Sequence, residues 1–183
     1  MGAEGRVSLV LGGVRSGKSR FAQGLLPAHG RVIFVATAVV TDAEMAARVE
    51  AHRRQRPPGW HTVEAPLSPA EKLKGLAGPW DGALLDCLTL LTSNWLLNLK
   101  DAQSARHAVM HELTCLLDWA QGNRVPLVIV SNEVGMGVHP TTELGLVFQD
   151  VLGEVNQFAA ARSDTVYLMV AGIPLKVKQP TWE

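Results

Sequence analysis

The sequence is sparing with cysteine and carries no surplus of charge and no long apolar run, and each of these absences removes a class of explanation. Cys87 and Cys115 are the only cysteines in 183 residues. A disulfide-stapled scaffold or a cysteine zinc site needs more of them at closer spacing. Both lie in apolar stretches and read as small core residues. Seventeen Lys and Arg offset seventeen Asp and Glu, which argues against nucleic acid as the main partner, since a polyanion is held by excess cations. The apolar run before the first glycines is too short for a membrane span or a secretory h-region, and Arg6 stands where a myristoylation signal after Gly2 wants Ser or Thr. A soluble cytoplasmic protein is expected. Repeats, low-complexity tracts and long linkers are also missing. Pro57-Pro58-Gly59 and Gly78-Pro79 read as local loops, and the expectation is a single domain over residues 1–183.

What is present is an ordinary globular balance, 47% hydrophobic and 19% charged, organised as short β-rich runs alternating with helical patterns. The strands predicted are Val7–Leu11, Val32–Ala36, Leu84–Asp86, Leu127–Ser131 and Thr165–Val170. A weaker extended segment spans Trp60–Glu64, and Pro174–Lys178 is a candidate edge strand. Most are nearly continuous apolar stretches, as parallel strands covered on both faces require. Helical patterns fall near Lys18–Leu26, Asp42–Gln55, Pro69–Leu76, Leu88–Leu99, Ala102–Gln121 and Thr142–Arg162. Thr41-Asp42-Ala43-Glu44 and Ser68-Pro69-Ala70-Glu71 fit capping boxes, and Gly122 suits a left-handed helix end. Alternating β and α units imply a mainly parallel sheet with right-handed crossovers.

One motif carries chemistry by itself. The first strand runs into Gly12-Gly13-Val14-Arg15-Ser16-Gly17-Lys18-Ser19, and a helix follows. This is the phosphate-loop pattern in its proper strand–helix setting. Glycines let the backbone curl so that successive N–H groups face phosphate oxygens, and the helix adds its positive end. Lys18 would reach the outer phosphates, and Ser19 would ligate Mg²⁺. Such a site also wants an acid at the end of a neighbouring strand to hold the metal or its waters. Asp86 fits that role, and Glu133, after the strand Leu127–Ser131, is a second candidate. The expected fold is therefore a three-layer α/β fold of the P-loop NTPase type.

The segment Asp42–Trp60 is the other unusual stretch. On a helix, Met45, Val49, His52 and Arg56 share one side with Arg48 beside them, so Met45 and Val49 are expected to anchor it on the core. His52 then projects near the helix end that Pro57 enforces, among Arg48, Arg53 and Arg56. Cations around an imidazole disfavour its protonated form and welcome phosphate, which suits a nucleophile. Spacing alone equally fits a solvated or capping histidine. Among the remaining histidines, only His107 and His111 share a helix face, and no third ligand joins them.

Taken together, GGVRSGKSRFAQ, VATAVVTDAEMAARVEAHRRQRPPGWHTVEAP, LLDCLTLLTSN, VSNEVGMGVHP, FQDVLGEVNQ and VAGIPLKVK resemble, in order and over nearly the whole chain, the bifunctional adenosylcobinamide kinase / adenosylcobinamide-phosphate guanylyltransferase family. The resemblance implies phosphorylation of a hydroxyl on the aminopropanol arm of adenosylcobinamide by ATP or GTP. It further implies transfer of GMP from GTP to that phosphate by way of a histidine matching His52. It adds Ala38, Val39, Val40, Arg56, Pro57, Pro58, Glu64 and Asp86 to the nucleotide site, Mg²⁺ as cofactor, and a homotrimer. The chain departs from the family's arginine-rich pattern at Leu144-Gly145-Leu146-Val147-Phe148-Gln149-Asp150, and Val39-Val40 also differ. A plain small-molecule kinase and a non-catalytic nucleotide-binding module are the competing readings.

Overall fold

The computed structural model describes residues 5–179 except Thr41, Gln55, Ala77 and Lys100, with the side chain of Arg48 also outside the description. Strands β1 (Val7–Gly12), β2 (Val32–Ala36), β3 (His61–Glu64), β4 (Gly82–Asp86), β5 (Leu127–Asn132), β6 (Thr165–Val170) and β7 (Ile173–Lys178) form a seven-stranded sheet ordered β3-β2-β4-β5-β1-β6-β7. Every pairing from β3 through β6 is parallel, and β7 joins β6 antiparallel. The helices are α1 (Lys18–Gly24), α2 (Ala43–Arg54), α3 (Pro69–Lys74), α4 (Leu88–Leu99), α5 (Ala102–Gly122) and α6 (Glu143–Arg162).

The period-2 alternation of the strands divides the core in two. Leu9, Ile33, Leu85 and Ile129 point to one face, where they meet Leu91 of α4, Leu113 and Leu116 of α5 and Val155 of α6. Val10, Phe34, Leu84 and Val130 point to the other, against Ala22 and Phe21 of α1, Leu26 and Trp60. Each fully buried side chain of this size contributes roughly 1.5–3 kcal/mol, so the thick layer of α4, α5 and α6 carries most of the fold. The opposite layer is thin. Met45 and Val49 of α2 are half-buried and belong to neither cluster, so the expected anchoring of that helix on the core does not occur.

The helix ends differ from expectation in instructive ways. Asp42 caps α2 by accepting from Met45 N at 2.8 Å, while Thr41 lies outside the described residues. Ser68 holds the N-cap position of α3 with Pro69 behind it, but its hydroxyl makes no capping bond. Instead the carboxylate of Glu112 on α5 accepts from Ala70 N at 3.2 Å, a tertiary contact that replaces the local box. Helix α5 runs through Gly122, and the left-handed residue that ends it is Arg124, at φ 56°.

Candidate active site

The phosphate loop follows β1, α2 follows the loop after β2, Glu64 ends β3, Asp86 ends β4, and residues 133–142 follow β5. All of these lie at the carboxyl edge of the parallel strands, where open α/β sheets bind their ligands.

Backbone constraint shapes the loop. A Cβ at Gly12 would stand 2.5 Å from Ser16 Oγ and 2.9 Å from Met169 O, so no larger residue fits. Gly17 takes φ 89° as the N-cap of α1 and brings no side chain to cap it, which leaves the first-turn N–H groups facing the loop mouth. Ser16 N donates to Gly13 O at 3.3 Å and Gly172 N to Ser16 O at 3.0 Å. Lys18 Nζ arches back to donate to Gly13 O at 2.9 Å. Burial lowers the Lys18 pKa, while Cys87 and Asp86 oppose the shift. Ser16 Oγ is buried with no partner among the described residues. Gly13, Val14 and Arg15 form the exposed outer arc.

The acid expected on the neighbouring strand is one strand farther away. β5 lies between β1 and β4, yet Asp86 at the end of β4 still faces the loop. Burial raises its pKa; the charges of His52, Arg56 and Lys18, and the hydroxyl of Ser19 within hydrogen-bonding reach, act in the opposite direction. Glu133, which follows the adjacent strand, folds onto its own turn and accepts from Gly135 N at 2.8 Å. Asp86 is the acid in the centre. Its neighbour Cys87 is surrounded by protein, which pushes its thiol up to about 11, so it is an inert apolar filler as expected. Cys115 is also a free thiol, 3.8 Å from His111 Nε2. No group of three or more His, Cys, Asp or Glu able to hold a metal occurs among the described residues.

A residue that sequence reasoning missed fixes Asp86 in place. Thr37, fully buried after β2, accepts from Cys87 N and donates to Cys87 O, both at 2.8 Å. Its own N–H donates to Asp86 O at 3.2 Å. Asn94 Nδ2 of α4 in turn donates to Thr37 O at 2.8 Å and to Pro66 O at 2.9 Å. Thr and Asn at the ends of apolar runs have no spacing signature, so nothing in the sequence marks this clamp.

The histidine helix comes to the same carboxylate from the other side. His52 is exposed in the last turn of α2, yet it comes within electrostatic reach of Asp86. Arg53 pairs with Glu64 at the end of β3, and Arg54 with Glu50 at 3.2 Å. Arg56 lies 3.8 Å over the ring of Phe34 and donates to Thr62 Oγ1 at 3.0 Å. Its Nε is buried without a partner among the described residues, and burial, then Arg53, lowers its pKa. Pro57 is half-buried and Pro58 exposed in the turn that follows; Ala38 is half-buried, with Val39 and Val40 exposed beyond β2.

The structure thus brings Lys18, Ser19, His52, Arg56 and Asp86 together. A separate cavity of about 270 Å³, lined by Arg6, Ser8, Tyr167 and Lys176 among others, lies at the opposite end of the sheet. It is remote from these groups. No described helix is long and apolar enough to cross a membrane.

Comparison with known proteins matches residues 8–177 to the family described as cobinamide kinase / cobinamide phosphate guanyltransferase. The chain is 39% identical over 178 residues to the bifunctional adenosylcobalamin biosynthesis protein CobU of Escherichia coli (strain K12), covering 93% of this chain and 98% of that one. It is 38% identical to the protein of the same name from Salmonella typhimurium, with the same coverage. It is 39% identical over 173 residues to the bifunctional adenosylcobalamin biosynthesis protein CobP of Pseudomonas aeruginosa, covering 93% and 96%.

Proposed function

The chain belongs to the cobinamide kinase / cobinamide phosphate guanyltransferase family, bifunctional enzymes of adenosylcobalamin biosynthesis, and from that premise we propose that one cleft performs both reactions around Asp86. The observation that carries this reading is that Lys18, Ser19, His52 and Arg56 all act on that single carboxylate.

In the kinase step the loop N–H groups and Lys18 hold the triphosphate, and the acceptor hydroxyl oxygen attacks the outermost phosphorus. The bond to the bridging oxygen breaks, the nucleoside diphosphate leaves and the hydroxyl proton passes to solvent. In the transfer step a nitrogen of His52 attacks the innermost phosphorus of GTP, and pyrophosphate leaves as the P–N bond forms. The cobinamide phosphate oxygen then attacks that phosphorus, the P–N bond breaks, and the imidazole is restored. Arg56, desolvated and with a free Nε–H, is suited to an α-phosphate oxygen. Ser19 and Asp86 form an all-oxygen donor pair that suits Mg²⁺, which offsets triphosphate charge when bound. Phosphate oxygens and water would complete its coordination. Glu64 and Pro57–Pro58, with Ala38, Val39 and Val40, border the cleft on the β2–β3 side and are assigned to the nucleoside.

We further assign the chain as a single cytoplasmic domain, where ATP and GTP are supplied, that works as a homotrimer. Support for association comes from β7, whose Ile173, Leu175 and Val177 are 63%, 50% and 67% exposed. The test is to supply cobinamide, ATP and GTP and to follow the corrinoid by mass. Wild type is expected to pass through cobinamide phosphate to the GDP adduct, whereas His52→Asn accumulates the phosphate. Adduct formation by His52→Asn refutes the histidine route, and failure of wild type to phosphorylate cobinamide refutes the whole reading.

A further inference from the structure

Residues 133–142, between β5 and α6, are rooted more firmly than an ordinary surface loop. At the base, Ser131 Oγ donates to Asn156 Oδ1 at 2.7 Å, Asn156 Nδ2 to Asn132 O at 3.0 Å, and Asn132 N to Thr89 Oγ1 at 2.7 Å. Higher up, Gln149 Nε2 of α6 donates to Val134 O at 2.8 Å, and Gly135 N is held by Glu133. Glu133 N also donates to Gly12 O at 3.1 Å, which fastens this segment beside the phosphate loop.

Above that root the large side chains have little to pack on. Met136 is 74% exposed, Val138 95%, and Val14 at the tip of the phosphate loop 75%. Val134-Gly135-Met136-Gly137-Val138 carries no charge. Apolar side chains held in water next to a reaction centre gain nothing from the fold itself, and they read as a contact surface. If the acceptor hydroxyl is to meet the outermost phosphate inside the loop, the bulk of the acceptor has to lie outside it, over these residues.

The geometry points to Met136, Val138 and Val14 as the docking rim for the apolar periphery of the corrinoid acceptor, an inference that rests on the function proposed above. A macrocycle edged with methyl groups and neutral amides matches the uncharged, apolar segment 134–138. Methionine adapts its unbranched side chain to an irregular outline, and the buried polar root keeps that adaptable tip at a fixed distance from the transferring phosphate.

The test combines Met136→Ser with Val138→Ser, substitutions at exposed positions that spare the core. Binding of cobinamide is measured by equilibrium dialysis, alongside KM for cobinamide and for ATP and the particle mass in solution. Dialysis and KM should both show roughly tenfold weaker use of cobinamide, as expected when apolar contacts to a substrate are lost, with KM for ATP and the particle mass unchanged. Val14→Ser should move the same constants in the same direction by a smaller factor. Unchanged cobinamide binding overturns the proposal, and so does a fall in particle mass, which would make the rim a contact between copies. If wild type binds cobinamide and the double variant does not, but neither phosphorylates it, the docking rim stands and the proposed function falls. If wild type does not bind cobinamide at all, the rim falls with it.

Discussion

The phosphate loop is fixed from within, by Gly12 against Ser16 and Met169, by Gly17 at φ 89° and by backbone bonds that link Ser16 to Gly13 and Gly172. The histidine helix α2, which faces it across Asp86, is attached from without. Its described side chains join neither core cluster, and an exposed pair between Arg53 and Glu64 ties its last turn to β3. The contrast teaches that a rigid phosphate cradle and a lightly held imidazole can share one carboxylate. On the function proposed above, the cradle would hold the triphosphate the same way in both reactions, whereas the imidazole would be needed in only one.

The comparison breaks first if Lys18 and His52 fail to separate the activities. Lys18→Ala should lower both by at least about a hundredfold, the scale of losing one charge-stabilising donor. His52→Asn should remove only guanylyl transfer and leave phosphorylation within about twofold. Parallel assays of both steps on both variants check this, and equal loss of both steps in His52→Asn would erase the distinction.

Asp86→Asn sharpens the comparison from the shared side. Burial holds the Asp86 pKa above its ordinary 3.8, so between these two values the folded chain keeps a proton that the unfolded chain has released. Stability from this group therefore falls as pH rises through that window, and above it the fold carries a disfavoured charge. Asp86→Asn should be nearly inactive in both steps yet melt at a higher temperature than wild type near neutral pH. That gap should shrink as pH falls through about 4, where the unfolded group begins to take up its proton as well. Thermal melts across pH check it, and a lower melting temperature for the variant at neutral pH would contradict the assignment.

A smaller effect is expected at Thr37. Thr37→Val removes the hydroxyl that holds both sides of Cys87 and should cost about 1–3 kcal/mol, measured by urea unfolding. It should also raise the Mg²⁺ concentration for half-maximal activity, which a loss of stability alone would not do. The smallest effect belongs to the outer attachment of α2. Arg53→Ala should change stability by less than about 1 kcal/mol, since the pair is exposed, while slowing transfer more than phosphorylation.

The same contrast explains what the sequence disclosed. Apolar runs with turn signals located the strands: Val32–Ala36 and Thr165–Val170 agree at both ends, while Leu84–Asp86 begins two residues early at Gly82 and the edge strand starts at Ile173. The phosphate loop was legible because its demands are local and fall on glycine, lysine and serine at fixed spacing. Asp86 was found as a strand-end acid, but its strand order was not, because β5 inserts between β1 and β4 through a late crossover. The Thr37 clamp and the root formed by Thr89, Ser131 and Asn156 link residues 25–50 positions apart, and no periodicity encodes such bonds. Helix α2 misled most: its apolar side promised core contact, but Met45 and Val49 stay half-buried outside both clusters, a placement that suits the role proposed for His52.

The most direct test of a shared centre is to incubate the protein with GTP labelled in the α-phosphate, without acceptor, and then map the label. The account predicts an acid-labile, base-stable adduct on His52 that Lys18→Ala depletes and His52→Asn abolishes. Label that persists in His52→Asn, or wild type that transfers guanylyl groups without ever carrying one, would contradict it.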